Sequence, residues 1–219
     1  MKLEYALAAA LVMPLACNVS DPDGPDFADD PGPGDVTEPR REPVVVQRER
    51  RRLDIDQLDA AIKRVTGGLY WVRVGDTTKT NQLVALAASL GKPDYVEITE
   101  EDLAPTSLFL KFLNDASRAV CAELIKAEAT RPERVFVAPA SFTDQPGSPV
   151  VDATLRRAIL RFHGQKPDDA SLSPWGTLFA TVVARDAAVN AAGSAEDHVK
   201  AGWNAVCVAL ITHPDFYTY

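Results

Sequence analysis

From residue 53 onward, apolar residues return every three or four positions, the period of helices with one buried face. Ile55, Leu58, Ile62 and Val65 make the first stripe, with Asp54 as N-cap and Gly67-Gly68 as the stop. Asn81 to Leu90 predicts a short second helix, closed by Gly91 and Pro93. Thr106 or Ser107 caps the longest helix, which runs to about Ala129 and carries Leu110, Leu113, Ser117, Val120, Cys121 and Leu124 on its buried seam. Asp152 starts a helix that turns Leu155, Ile159, Leu160 and Phe162 inward and Arg156, Arg157 and Arg161 outward, ending at His163-Gly164. At that end a cationic His163 suits the helix dipole. Asp168 and Asp169 precede a helix from Leu172 to about Val189 that packs Trp175, Leu178, Phe179 and Val182. Glu196 and Asp197 open the last, which reaches about Thr212 before Pro214 and an aromatic end that docks back on the domain.

Between these stripes the pattern changes. Leu69 to Val74 has strand-like composition without a second strand to pair with, so it reads as an extended connector that packs Tyr70 and Trp71. Proline recurs too often between Val135 and Pro149 for a sheet. The expectation is an all-α fold, an irregular multi-helix bundle over residues 51–219.

Two of the helices share a heptad. Ala119-Val120-Cys121-Ala122-Glu123-Leu124-Ile125 and Ala205-Val206-Cys207-Val208-Ala209-Leu210-Ile211 agree at five of seven positions. In each copy Leu and Ile, three and four residues on, share the cysteine's face. This predicts a disulfide between Cys121 and Cys207 joining two core helices; two buried free thiols are the alternative.

The first 50 residues have another character. Met1 to Ala16 opens with Lys2 and runs apolar from Tyr5 to Leu15, a length that suits a signal peptide and is too short to span a bilayer. Leu15-Ala16-Cys17 resembles the lipobox of bacterial lipoproteins, although Pro14, Leu15 and Glu4 depart from the pattern. The resemblance implies lipidation of Cys17, a membrane anchor and residence in the bacterial envelope; Asn18 in place of Asp favours an outer-membrane or periplasmic lipoprotein. Cleavage without lipid and a retained cytosolic helix stand as alternatives. Residues 17–50 then read as a disordered Asp/Pro/Gly-rich tether, with too little apolar surface to offset chain entropy. Asp21, Asp23 and Asp26 lack the Gly and closing Glu of an EF-hand. The basic run from Arg48 to Arg52 suits a solvated domain edge or contact with anionic lipid.

The chain has 219 residues, 46% of them hydrophobic, enough for one well-buried domain and a tail. A net charge of −8 argues against nucleic acid as a partner. Three cysteines leave an even pair once Cys17 is lipidated, and an oxidising envelope would let that pair close.

The segment Trp203 to Phe216, with Arg161-Phe162-His163-Gly164 and Arg51-Arg52-Leu53, resembles helical domains of unknown function in planctomycete and myxobacterial surface proteins, where they often accompany c-type cytochrome domains. Residues 51–219, including Gly91 to Tyr95 and Lys111 to Ala116, resemble a myxobacterial lipoprotein group with this layout. The resemblance implies a helical envelope domain and supplies no catalytic residue.

Candidate chemistry is sparse. No Cys-x-x-Cys-His is present, which excludes covalent c-type haem in this chain, and no phosphate loop, Gly-x-Ser-x-Gly elbow or His-Glu-x-x-His occurs. Glu97, Glu100, Glu101 and Asp102 offer paired acids for a cell-wall glycan-acting enzyme, with Trp71 as a sugar platform. The same acids after Thr99 suit a helix N-terminus, and that reading is preferred. His163, His198 and His213 would build a metal site only if distant segments converged, so no metal and no cofactor is assigned. Non-covalent haem or metal binding by His163 or His198 is the weakest reading. The leading one is an exported, lipid-anchored, non-enzymatic protein of structural or partner-binding role, the partner being a haem-bearing or other envelope protein.

Overall fold

The computed structural model describes residues 50–219 except Val74, Asp94, Tyr95 and Ile98. The expected signal peptide, Cys17, the acidic tether and Arg48 lie outside the described residues. Among the described residues seven α-helices follow one another: α1 (Ile55–Thr66), α2 (Gln82–Ala85), α3 (Ser107–Thr130), α4 (Pro149–His163), α5 (Asp169–Val189), α6 (Ala195–Thr212) and α7 (Pro214–Tyr217). Among the described residues there is no strand, only isolated bridges between Val72 and Asn81 and between Arg52 and Thr218. The fold is all-α.

Helix α6 is the centre of packing, with its largest contacts on α5 and α3. Its buried stripe, Val199, Trp203, Val206, Cys207, Leu210 and Ile211, is wholly inaccessible. Trp203 packs edge-on against Phe136 at 5.8 Å and against Phe179 at 4.6 Å. Gly202 lets α5 come close, because a Cβ there would sit 2.7 Å from Val183 Cγ2 and 2.8 Å from Phe179 Cε2. On the opposite side, Cys207 is joined to Cys121 of α3 by a disulfide, with the Cα atoms 5.8 Å apart.

Capping sets the helix starts. Asp54 and Gln57 form a capping box on α1, Ser194 and Asp197 another on α6, while Asp168 caps α5 and Thr106 caps α3. The basic side chain expected at a solvated edge is instead inside: Arg52 is 1% exposed. Its guanidinium donates to the carbonyls of Leu53, Leu90 and Asp102 and to Glu101 Oε1, and lies 4.8 Å from the Phe109 ring centroid. A buried arginine needs this many acceptors to offset its lost hydration. Arg52 thereby ties the chain before α1 to the 99–106 segment, while Leu53 N donates to Tyr217 O and docks the aromatic C-terminus.

Four other local expectations change. Asn81 to Leu90 is not one helix: α2 ends at Ala85, and a 3₁₀ turn at Ala88–Leu90 continues the path, so that Leu83, Ala87 and Leu90 all reach the core. No helix starts at Thr99 to Asp102. Glu101 Oε1 instead accepts from Ile55 N at 3.2 Å and so caps α1, while Asp102 Oδ1 accepts from Ala104 N and Pro105 bars helical backbone before it. In α3, Phe109 rather than Leu110 faces inward, against Tyr217 at 5.7 Å, and Leu110 is 40% exposed. In α4 the buried stripe is Val151, Thr154, Leu155, Ala158, Ile159 and Phe162, which leaves Leu160 one step round the helix and 50% exposed.

The proline-rich connection after α3 belongs to the core. Phe136, Val137, Ala140 and Phe142 are buried, and the backbone N–H groups of Val135, Phe136 and Val137 all donate to the carboxylate of Glu128, which is wholly buried in the last turn of α3. One side chain thus replaces the ladder that this loop's backbone lacks. None of the described helices is long and apolar enough to cross a membrane.

Candidate functional site: a histidine groove at the ends of α4 and α6

His163 is the last residue of α4, and His213 directly follows α6. The two rings stack at a centroid distance of 4.8 Å with planes 28° apart. Trp175 of α5 completes a triangle, 5.8 Å from His163 and 5.9 Å from His213. They line a groove of about 630 Å³, with Ile159, Pro174 and Leu178 as apolar wall and Lys166 and Asp215 among the polar residues.

Each imidazole has one nitrogen committed. His163 Nε2 donates to the Leu210 carbonyl at 3.0 Å, one of the terminal carbonyls of α6 that has no partner within its own helix. This fixes the tautomer and leaves Nδ1 as the bare nitrogen. His213 Nδ1 accepts the N–H of Asp215 at 3.2 Å, the N-cap bond of α7, and lies 3.7 Å from Asp215 Oδ2. Arg50 Nη1 stands 3.7 Å from the other oxygen, Asp215 Oδ1. One donor atom from each of His163, His213 and Asp215 falls within 4.8 Å of the others. These three residues, converging from segments some fifty positions apart, are the described cluster able to hold a metal ion.

The expectation of a cationic His163 at its helix end is corrected. Burial lowers its pKa, the Leu210 hydrogen bond raises it in part, and nearby His213 lowers it further, so the neutral ring is favoured. Trp175, expected in the core, is only half-buried because it forms the groove wall.

The other candidate residues are placed elsewhere. His198 is 8% exposed and its Nδ1 bonds Asp186 Oδ2 at 2.7 Å, joining α6 to α5. Glu101 is spent on Arg52 and on the start of α1. Glu97, Glu100 and Asp102 are exposed. Trp71 leans on Phe112 at 6.0 Å and packs against the core, the role first expected of it. A carboxylate pair with Trp71 as platform is therefore not assembled around Glu101, whose acceptor oxygen already holds two donors.

Sequence reasoning missed Asp215 and the meeting of His163 with His213. The only signal was positional: each histidine stands at the C-terminal end of a predicted helix, and nothing local says that those ends adjoin.

Comparisons with protein-family models, with curated proteins and with solved structures return no match.

Proposed function

We infer that this is an exported envelope protein, anchored through a lipid on Cys17, whose helical domain serves a structural or partner-binding role rather than catalysis. The observation that carries this reading is the Cys121–Cys207 disulfide between the two central helices. Such a bond persists in oxidising compartments and is rare in the cytosol. The leader before Cys17 supplies a route to such a compartment, and the third cysteine then has a use other than pairing. The Asp/Pro/Gly-rich segment after Cys17 serves as a leash that sets the domain off the membrane surface. The histidine groove is the face offered to a partner, because its apolar wall and its imidazoles combine partial burial with access.

Mass spectrometry of the mature N-terminus from membrane fractions tests the reading. A chain that begins at Cys17 with added acyl mass, and that leaves the membrane in the Cys17→Ala variant, is the expected result. A chain in the cytosolic fraction that retains Met1 would refute it. Cross-linking in intact envelopes should capture a specific protein through the groove, and capture that is unchanged in Trp175→Ala would remove the groove from the account.

A further inference from the structure

We propose that His163, His213 and Asp215 bind one divalent transition-metal ion, in a two-histidine, one-carboxylate set with an open fourth position. Three observations combine. First, one ligand atom from each of the three residues lies within 4.8 Å of the others, and His213 Nδ1 is 3.7 Å from Asp215 Oδ2. Donors around a tetrahedral ion with bonds of about 2.0–2.1 Å sit roughly 3.3 Å apart, so closure takes a few tenths of an ångström at that edge and up to about 1.5 Å at the widest.

Second, His163 already has the support that a metal ligand uses. Its Nε2–H is given to a backbone carbonyl, Leu210, which holds the ring and presents the unprotonated Nδ1. Third, the site lies where two long helices, α4 and α6, both end. Their terminal carbonyls carry partial negative charge, each end equivalent to about half an elementary charge, which favours a cation there.

Binding asks for three local changes. His213 exchanges the 3.2 Å contact with Asp215 N for the ion, and its ring turns out of the stack with His163, which Leu210 holds in place, so that the in-plane lone pairs converge. Asp215 also turns from Arg50, which is 67% exposed at its side chain and returns to water at little cost. Imidazole and carboxylate donors suit Zn²⁺ or Cu²⁺ over the hard ions, and the groove leaves the remaining position open to solvent or to a donor from a partner.

The test uses the full mature chain, freed of metal with a chelator, and the ions Zn²⁺ and Cu²⁺ alone. Calorimetry with Zn²⁺ should give one site per chain. His213→Asn keeps an acceptor for Asp215 N and so preserves the α7 cap; it and Asp215→Asn should each weaken binding at least tenfold, with unchanged circular dichroism. Cu²⁺ should quench tryptophan emission at one equivalent, and Trp175→Phe should remove most of that quenching while leaving the Zn²⁺ stoichiometry intact. Absence of saturable binding, or binding that survives both the His213→Asn and Asp215→Asn substitutions, would overturn the site.

Discussion

The shaft of helix α6 and its C-terminal end are built on opposite principles. Along its shaft, Cys207 is bonded to α3, Trp203 is enclosed, and Gly202 admits α5 to van der Waals contact. Three buried polar side chains nearby are matched to partners: Glu128 takes three backbone N–H groups, Thr154 accepts from Ala140 N and donates to Val150 O, and Ser117 donates to Asn114 O, although the indole N–H of Trp203 is buried without an acceptor among the described residues. At its C-terminal end, His163, Trp175 and His213 stand half-exposed around a groove, and each histidine has only one nitrogen engaged. The shaft carries stability, and the end is left to recognition. A rail fixed by a disulfide six residues before His213 allows the groove to keep its shape without burying its own polar groups.

Substitutions should separate the two regions, and the largest effects belong to the shaft. Cys121→Ser opens a loop of 86 residues, for which chain entropy assigns about 4–5 kcal/mol. Thermal melts should show wild type falling to the variant's melting temperature when reductant is added, and the variant unmoved by it. Glu128→Ala strands three backbone N–H groups in the core and should cost about 3–5 kcal/mol in urea unfolding. Gly202→Ala drives a methyl into Val183 and Phe179 and should cost roughly 1–3 kcal/mol, since both neighbours are side chains with some room to shift.

The groove should respond differently. Trp175→Ala removes a half-buried wall and should lower stability by about 1 kcal/mol or less, with the larger change in partner capture. A cost equal to that of Glu128→Ala would erase the distinction between shaft and end.

The α5–α6 junction adds a dependence on pH. The His198 hydrogen bond, and after it the Asn190 bond, hold the Asp186 carboxyl below its ordinary value of 3.8. A carboxyl depressed in the native state binds fewer protons than in the unfolded chain, so its contribution is whole above about pH 4 and is lost as pH falls through the native pKa. Asp186→Asn should therefore flatten the acid limb of a stability–pH curve, and an unchanged limb would show that this bond does not couple to folding.

Much of the framework was legible in the residues. Asp54, Thr106, Asp168 and Gly164 mark helix ends through chemistry that acts within one turn, and such marks survive any tertiary context. The duplicated heptad located the disulfide partners because it placed a cysteine on each of two buried stripes. What failed was set at long range. Arg52 looks like surface charge until the Leu90 and Asp102 carbonyls and Glu101 close round it, and Glu101 caps a helix that begins 46 residues earlier. Phe109 displaced Leu110 because Tyr217 and Arg52 meet it at that end of α3. The groove depends on two helix ends meeting, and no spacing in the chain encodes that.

The state of the two core thiols in protein taken from its own cells is the most direct measurement. After alkylation under denaturing, non-reducing conditions and proteolysis, the account predicts a single linked peptide pair carrying Cys121 and Cys207, with neither residue modified. Recovery of both cysteines as separate, fully alkylated peptides would contradict it.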